Sequence, residues 1–165
     1  MATALFIGRF QPMHNAHLEV IKSILEKNDR IMIAIGSSQE SGAKGNPFSF
    51  SERKEMIMKT FKENNIANYC IEGLPDFFDD GKWTDYIKNK LPEFDAAYTG
   101  NPATEKCLSK NGITVKKIKM IKGVDGTSIR KLISRGEKWE NLVPKAVYSY
   151  IKKIKGDERI RKLIS

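Results

Sequence analysis

Residues 2–27 read ATALFIGRFQPMHNAHLEVIKSILEK, and the fold of the chain is most clearly visible in this stretch. Residues 2–7 are an apolar run with the length of a buried strand, and Gly8 follows them. Apolar side chains then recur over residues 15–27 with the spacing of one helix face. The stretch therefore predicts a buried strand, a turn at a glycine and a helix, in that order.

The same alternation continues through the rest of the chain. Further strands are predicted at residues 30–35, 66–71, 95–99 and 113–118. Ser49 and Glu52 have the spacing of a capping box, so a helix is predicted to follow them. Further helices are predicted at residues 83–91, 103–110 and 127–134 and after Pro144, and Thr127 is the predicted N-cap of the helix at residues 127–134. Strands that alternate with helices predict an α/β fold: a Rossmann-like, doubly wound parallel sheet covered on both faces.

The length of 165 residues, without an internal repeat or a linker, favours one domain over residues 1–165. We expect its C-terminal part, from about residue 127, to be helical and basic. The apolar runs are far shorter than the roughly 20 residues that span a bilayer, and the N-terminus lacks the features of a signal peptide. Two cysteines without metal-ligand spacing predict neither a disulfide framework nor a zinc site. We expect a soluble cytoplasmic protein with no membrane partner.

The net charge of +9 is unevenly distributed. Residues 1–109 hold 13 Lys and Arg against 15 Asp and Glu, whereas residues 110–165 hold 16 against 5, so the net charges are −2 and +11. Such asymmetry indicates an anionic partner, either nucleic acid, a membrane surface or a phosphorylated ligand, or else a solvated face that keeps the protein soluble. We expect the terminal stretch at residues 145–162 to be a solvated helix or a subunit contact.

The loop after the first predicted strand holds the only two histidines of the chain, His14 and His17. Ligands of parallel α/β sheets bind beyond the carboxyl ends of the strands, where this loop lies. If Asn15 caps the helix, both imidazoles lie at the positive end of its dipole, and Arg9 can bind a phosphate with a bidentate fork. Incidental surface histidines are the alternative, but their shared position favours a functional pair.

Two further features each allow a functional and a structural interpretation. Residues 125–131, DGTSIRK, place Arg130 in the first turn of a helix, where a cation opposes the helix dipole. That arrangement suggests a phosphate ligand, and an ordinary solvated Arg-Lys pair is the alternative. Trp83 follows an acidic loop, and packing at the edge of the core is the alternative to a ligand contact.

The run GRFQPMHNAH at residues 8–17 resembles the GRFQPxHxGH signature of the nicotinamide-mononucleotide adenylyltransferases of archaeal type, a branch of the HxGH nucleotidyltransferases. The resemblance covers most of the chain. An HxGH motif by itself indicates only nucleotidyl transfer, and the longer motif is more specific when the loop of Trp83 and the GTxxR turn accompany it. The other matching positions are Gly36-Ser37 with Gln39, Asn46-Pro47-Phe48 with Glu52-Arg53, Asp76 with Trp83, Tyr98 with Gly100-Asn101-Pro102, and Gly126 to Arg130.

The resemblance implies transfer of AMP from ATP to nicotinamide mononucleotide by direct in-line displacement, giving NAD and pyrophosphate. It implies His14, His17, Arg9 and Arg130 as the catalytic residues that bind the triphosphate. It also implies that Trp83 stacks on the nicotinamide ring. The implied substrate-binding positions are Gly8, Phe10, Gln11, Pro12, Ser37, Lys44, Asn46, Asp76, Trp83, Tyr98, Gly100, Asn101, Gly126, Thr127 and Ser128.

The expected partners are ATP and nicotinamide mononucleotide, without nucleic acid, and the relatives implied by the resemblance are homo-oligomers, often hexamers. We expect no dedicated metal site, with Mg²⁺ arriving on ATP. Two positions depart from the family pattern: Ala16 replaces the glycine of HxGH, and Gly45, next to Lys44, replaces an arginine. A different phosphorylated acceptor (phosphopantetheine, FMN or glycerol phosphate) and a nucleic-acid-binding protein with a basic C-terminal third remain the alternatives.

Overall fold

The structure, a computed structural model, describes residues 1–164. Within them, five strands and seven α-helices alternate along most of the chain. The elements are β1 Thr3–Gly8, α1 Asn15–Leu25, β2 Arg30–Gly36, α2 Phe50–Glu63, β3 Tyr69–Leu74, α3 Asp80–Lys90, β4 Ala96–Thr99, α4 Pro102–Lys110, β5 Val115–Lys117, α5 Gly126–Ser134, a single 3₁₀ turn Glu140–Leu142, α6 Lys145–Lys153 and α7 Gly156–Ile164.

All five strands are parallel and lie in the order β3-β2-β1-β4-β5. In the register of the sheet, Ala4 pairs with Ile31 of β2 and with Ala96 of β4. The chain winds from β1 outward in one direction and then, from β4, in the other, which creates a switch point between β1 and β4. The predicted α/β fold with a Rossmann-like, doubly wound parallel sheet is confirmed.

The chain divides into two compact units. The first unit comprises Met1–Gly8, Val20–Ser38 and Asn68–Met120 and contains the whole sheet, α3 and α4. Its core contains Leu5, Met32, Ala34, Leu74, Ile87, Leu91, Ala97, Leu108 and Ile113. The second unit comprises Arg9–Glu19, Gln39–Ala67 and the chain from Ile121 onward. It contains residues 9–14, which connect β1 to α1 and are called the first loop, together with α2, α5, α6 and α7. A single domain over residues 1–165 stays a prediction.

Several predicted boundaries shift because polar groups close the helices elsewhere. The capping box at α2 is confirmed: Ser49 Oγ accepts from the Glu52 N–H at 3.2 Å, and Glu52 Oε2 accepts from the Ser49 N–H at 3.3 Å. The predicted strand at residues 66–71 starts only at Tyr69, because the Ile66 N–H still donates to the Phe61 carbonyl of α2 at 2.9 Å.

At α5 the predicted N-cap, Thr127, is wrong. Asp125 holds that position, because its carboxylate accepts from the Ser128 N–H at 2.8 Å and starts the helix at Gly126. In the same way Asp79 caps α3, which begins three residues before the predicted start at Trp83.

The helical stretch after Pro144 consists of two helices, α6 and α7. Lys155, with a φ of 57°, breaks the stretch between them. Within residues 1–164, no helix combines the length and the apolar character needed to cross a membrane.

Candidate active site

The first loop is held by its own buried side chains. Phe10 adopts a φ of 53°, a left-handed conformation that is unfavourable for a bulky residue, and its ring is almost fully buried. The Gln11–Pro12 peptide bond is cis, and Gln11, Pro12 and Met13 are buried as well. The predicted binding residues Phe10, Gln11 and Pro12 therefore shape the loop from inside, and direct contact of their side chains with substrate stays a prediction.

The two histidines close the N-terminus of α1 by bonding to each other's backbone. His14 Nδ1 accepts from the His17 N–H at 3.3 Å, and His17 Nδ1 accepts from the His14 N–H at 3.2 Å. The rings stack with centroids 3.6 Å apart and an interplanar angle of 18°. Since each Nδ1 accepts a hydrogen bond, each neutral ring carries its proton on Nε2. We call this arrangement of His14 and His17 the histidine box.

The predicted cap of this helix, Asn15, is wrong. Asn15 is the first residue of α1, and its side-chain amide donates to the Asn141 carbonyl at 2.9 Å. His14 takes the capping position instead, because its carbonyl also accepts from the Leu18 N–H at 3.2 Å. Ala16, the departure from HxGH, is fully buried, so its methyl group lies in the protein interior.

Both histidines are neutral at pH 7. Burial lowers the pKa of His14 to about 4, and the nearby Asp125 carboxylate opposes that shift. Burial, followed by the proximity of His14, lowers the pKa of His17 well below its usual 6.5. The histidine box therefore supplies N–H donors without positive charge.

Arg130 is tied to the first loop by a short hydrogen bond. Arg130 is 6% exposed, and its Nη1 donates to the Gln11 carbonyl at 2.6 Å while Nη2 donates to Thr127 Oγ1 at 3.3 Å. A side chain at Gly126 would place its Cβ 2.9 Å from that Nη1 and 3.0 Å from the Gln11 carbonyl oxygen, so a larger residue there would displace the guanidinium from this contact. The predicted catalytic motifs at residues 9–17 and 125–131 are thus brought together.

The N-terminus of α5 already carries an anion of the protein itself. The Asp125 carboxylate accepts from both the N–H and the hydroxyl of Ser128, at 2.8 and 2.9 Å. The bond from the Ser128 N–H is the main cause that lowers the pKa of Asp125, so this group is ionised. Burial, then the charge of Arg9, lowers the pKa of Arg130, whereas Asp125 raises it. The binding roles of Thr127 and Ser128 stay predictions.

Arg53 is a structural residue of the site whose role the sequence analysis did not assign, although Glu52-Arg53 is among the matching motif positions. Its side chain is 0% exposed and donates to the carbonyls of Arg9, Ser49 and Glu40 at 3.0, 3.2 and 3.4 Å. It therefore fixes the backbone from which the exposed Arg9 side chain extends. A signal for this role exists in the sequence, because Arg53 lies three residues before Met56, on the buried face of α2.

The segment before α2 contains an acceptor that lacks a donor. The backbones of Ala43 and Asn46 exchange two hydrogen bonds of 3.2 and 3.0 Å, which forms a tight turn. Asn46 Oδ1 is buried and has no hydrogen-bond partner within residues 1–164. Lys44 is exposed, and a Cβ at Gly45 would meet no atom within 4 Å. The turn therefore has room for a ligand or for a longer side chain at Gly45.

In the first unit, two predicted substrate-binding residues meet beyond the carboxyl ends of β2 and β3. Ser37, which has a φ of 47°, donates from Oγ to Asp76 Oδ1 at 3.2 Å. Gly8 ends β1. Trp83 is half-buried in the first turn of α3 and packs against the core, which is the structural interpretation given as the alternative above. A contact of Trp83 with substrate stays a prediction.

The predicted residues on β4 and after it carry structural contacts. Tyr98 is buried, and its hydroxyl accepts from Asn28 Nδ2 at 2.9 Å. Gly100 allows the close approach of Met120, which a Cβ at Gly100 would overlap. Asn101 caps α4, since its Oδ1 accepts from the N–H groups of Ala103 and Thr104 at 2.9 and 3.2 Å. Contacts of Tyr98, Gly100 and Asn101 with substrate stay predictions.

Neither cysteine is paired, and both Cys70 and Cys107 are free thiols. Among residues 1–164 there is no group of three or more His, Cys, Asp and Glu side chains that could hold a metal ion. The arrival of Mg²⁺ with ATP stays a prediction.

Comparison with known proteins identifies the family. Residues 5–132 match the family model described as Cytidylyltransferase-like. The chain is 38% identical over 162 residues to the nicotinamide-nucleotide adenylyltransferase of Thermoplasma volcanium, covering 97% of this chain and 91% of that protein. It is 37% identical over 168 residues to the enzyme of the same name from Pyrococcus furiosus, covering 99% and 89%.

A solved structure supports the same assignment. The bifunctional NMN adenylyltransferase/ADP ribose pyrophosphatase of Francisella tularensis, in complex with AMP and a manganese ion, superposes with a TM-score of 0.82 at 26% identity. The match covers 99% of this chain and 52% of that protein, so this chain spans about half the length of the bifunctional enzyme. The chain therefore belongs to the nicotinamide-nucleotide adenylyltransferases, within the cytidylyltransferase-like family of nucleotidyltransferases.

Proposed function

We propose that the protein transfers AMP from ATP to nicotinamide mononucleotide and releases NAD and pyrophosphate. The observation that carries this proposal is the histidine box, in which each ring accepts a backbone hydrogen bond at Nδ1 and so carries its proton on Nε2, on the loop that also holds Arg9. Arg130 joins the same loop through the Gln11 carbonyl. The family to which the chain belongs supports the choice of acceptor.

The proposed reaction is a direct in-line displacement. A phosphate oxygen of nicotinamide mononucleotide forms a bond to the α-phosphorus of ATP, the bond to the bridging oxygen breaks, and the electron pair leaves with pyrophosphate. The second pKa of a phosphate monoester is about 6, so the nucleophile is already ionised at pH 7 and requires no general base. Catalysis then consists of alignment and of neutralising the charge that moves to the leaving group.

The four proposed catalytic residues divide this work. His17 and His14 donate Nε2–H bonds to the α- and β-phosphates, and the bonds at Nδ1 hold both rings in the orientation that this requires. Arg9 and Arg130 neutralise the rest of the triphosphate, and Arg130 enters the reaction with its side chain already ordered. ATP enters as its Mg²⁺ complex, so the metal belongs to the substrate.

Asn46 adds a binding contact to the proposal. Buried acceptors of native proteins are nearly always satisfied, and Asn46 Oδ1 lacks a donor. A hydroxyl or amino group of the bound nucleotide supplies the donor that this oxygen requires. Asn46 therefore belongs among the residues that bind substrate, in agreement with its place in the motif of the resembled family.

The nicotinamide ring is assigned to Trp83, with Asp76 adding negative charge. A pyridinium cation over an indole face is stabilised by roughly 0.5–2 kcal/mol. Replacing Trp83→Ala should therefore raise the KM for nicotinamide mononucleotide and leave the KM for ATP within about 2-fold, because the contact involves only the acceptor. Unchanged kinetics with both substrates would remove Trp83 from the proposal.

The direct test incubates the purified protein with ATP, Mg²⁺ and one acceptor at a time, and follows pyrophosphate release and NAD formation. We expect turnover with nicotinamide mononucleotide. Release of pyrophosphate only with phosphopantetheine, FMN or glycerol phosphate would contradict the choice of acceptor. A gel-shift titration at physiological salt tests the alternative, because tight nucleic-acid binding without adenylyl transfer would support a role for the basic C-terminal third.

Two further parts of the proposal concern the protein as a whole. We propose a homo-oligomer, with the hexamer as the form implied by the family, and a cytoplasmic location. Sedimentation equilibrium of the full chain tests the first, and a mass equal to one 18.7 kDa chain at all concentrations would contradict it. Fractionation of the native cells tests the second.

A further inference from the structure

The last helix of the described chain, α7, contacts the segment that precedes α2. The sequence predicts a solvated helix or a subunit contact over residues 145–162, and within this stretch Arg159 makes contacts inside its own chain. Arg159 Nη1 donates to the Pro47 carbonyl at 3.1 Å and to Glu52 Oε2 at 2.6 Å. The guanidinium carbon also lies 5.8 Å from the centroid of the Phe48 ring. One side chain thus holds both a loop carbonyl and the capping box of α2.

The backbone of α7 packs on the same loop. A Cβ added to Gly156 would lie 2.7 Å from Phe48 Cε1, closer than side chains pack, so the Phe48 ring rests directly on the helix backbone. Phe48 is fully buried. We call residues 46–48 the NPF segment, and α7 contacts it both through Arg159 and through Gly156.

Hydrogen bonds continue from the NPF segment to the proposed phosphate-binding residues. The Gln11 side chain donates to the Phe48 carbonyl and accepts from the Phe48 N–H, each at 2.9 Å. The Gln11 carbonyl in turn accepts the 2.6 Å bond from Arg130. Each of these links is buried or part-buried, so a displacement of Phe48 is transmitted to the acceptor that orients Arg130.

We propose that Arg159 is a positioning residue for the triphosphate: from α7 it fixes the NPF segment and, through Gln11, the orientation of Arg130. Arg159 acts through other residues and does not itself touch the substrate. The identity of the ligand rests on the proposed function. Because a misplacement of about 1 Å can cost a site up to 10²-fold, loss of the Arg159 contacts should be measurable in nucleotide binding.

The test compares Arg159→Met with Arg161→Met. Met retains an unbranched apolar stem and removes the guanidinium, and the control removes the same charge from the same helix. Arg161 contacts Asp157 at 3.4 Å, and Asp157 keeps its 2.8 Å bond to Lys152 in that variant. Equilibrium binding of ATP with Mg²⁺, in the absence of an acceptor, is the main readout, and kcat and KM for both substrates accompany it.

Arg159→Met should weaken ATP binding by about 10-fold and raise the KM for ATP in parallel, with the KM for nicotinamide mononucleotide within about 2-fold of the parent value. Arg159→Lys should recover part of the ATP affinity, because one ammonium can reach one acceptor but cannot reproduce the guanidinium geometry. The Arg161→Met control should bind ATP with the affinity of the parent protein.

Gly156→Ala perturbs the NPF segment independently. Its Cβ displaces the Phe48 ring without removing a charge, and it should weaken ATP binding in the same direction. Parent-like ATP affinity in Arg159→Met, equal losses in Arg159→Met and Arg161→Met, or equal losses for both substrates would each overturn the proposal. A parent protein that binds ATP but forms no NAD would refute the proposed function, and the comparison of ATP affinities would still test Arg159.

Discussion

The N-termini of α1 and α2 are closed by the same reciprocal plan with different side chains. At α2, the side chains of Ser49 and Glu52 each accept a hydrogen bond from the backbone N–H of the other residue, at 3.2 and 3.3 Å. At α1, His14 and His17 do so at 3.2 and 3.3 Å, with the same three-residue spacing. A capping box satisfies two N–H groups that a helix terminus otherwise leaves without partners.

The two boxes differ in what remains after capping. Glu52 is an acceptor only, and its carboxylate is engaged by Arg159 at 2.6 Å. An imidazole has a second nitrogen, so a ring that accepts at Nδ1 still carries a donor at Nε2. The serine–glutamate box therefore leaves no N–H donor on its side chains, whereas the histidine box ends a helix and leaves each ring with its proton on Nε2.

The largest effect is expected when the donor of His17 is removed and the box is kept. His17→Glu can accept the His14 N–H as Glu52 accepts that of Ser49, but it offers no donor and adds a negative charge. We expect kcat to fall by about 10³-fold, the upper end for loss of one preorganised donor. His17→Gln, which retains an amide donor, should lose less. Equal turnover in these two variants would contradict the role of the donor.

His14→Ser removes the donor of the other histidine and also keeps the helix capped. Serine is a good N-cap and keeps an acceptor for the His17 N–H, but it is too short to reach a bound phosphate. We expect kcat to fall by about 10²-fold while the thermal unfolding temperature stays close to that of the parent. A variant that loses its fold together with its activity would show that the histidine box is only structural.

The histidine box should also make stability depend on pH. His14 has a pKa of about 4 in the folded protein and near 6.5 in an unfolded chain, so the unfolded chain binds more protons between these values. The free energy of unfolding should therefore fall as the pH falls from 6.5 to 4, with His17 acting in the same direction. Urea unfolding between pH 6.5 and 4 should show a smaller fall in the free energy of unfolding for His14→Ser than for the parent protein. The same dependence of that free energy on pH in both proteins would be inconsistent with a neutral His14.

The smallest effect on turnover is expected at the capping box of Ser49 and Glu52. Ser49→Ala removes the acceptor for the Glu52 N–H and should lower the free energy of unfolding by about 1 kcal/mol. Turnover should stay within about 2-fold, because this box presents no donor to substrate. Urea unfolding and steady-state kinetics of the same preparation check both statements, and a 10-fold loss of kcat would erase the distinction between the two boxes.

Local patterns explain which parts of the fold were predictable. The strands that form β1, β2 and β4 are apolar runs, and the spacing of Ser49 and Glu52 is a known helix start. The spacing of His14 and His17 is the same, but histidine is not a customary capping residue, so the sequence predicts Asn15 as the cap. The sequence offers two capping side chains at α5, and Asp125, three residues before Ser128, takes the position predicted for Thr127 because aspartate is the stronger N-cap.

The hydrogen-bond partners of the residues that support the site could not be assigned because they are distant in sequence. Arg53 bonds to a carbonyl 44 positions away, and Arg159 to one 112 positions away. No periodicity encodes such pairs, since any backbone carbonyl can accept. The hydrogen bond from Asn28 to the Tyr98 hydroxyl spans 70 positions and could not be predicted either, and the ligand contact that the motif predicts for Tyr98 stays a prediction.

The most direct test of the histidine box is a ¹⁵N NMR titration of histidine-labelled protein. The chain contains only two histidines, so the spectrum holds two imidazoles that His14→Ser and His17→Gln assign. We predict that between pH 8 and 5.5 both rings stay neutral, with the proton on Nε2 and a bare Nδ1. A ring that carries its proton on Nδ1, or one that titrates near pH 6.5, would contradict the account.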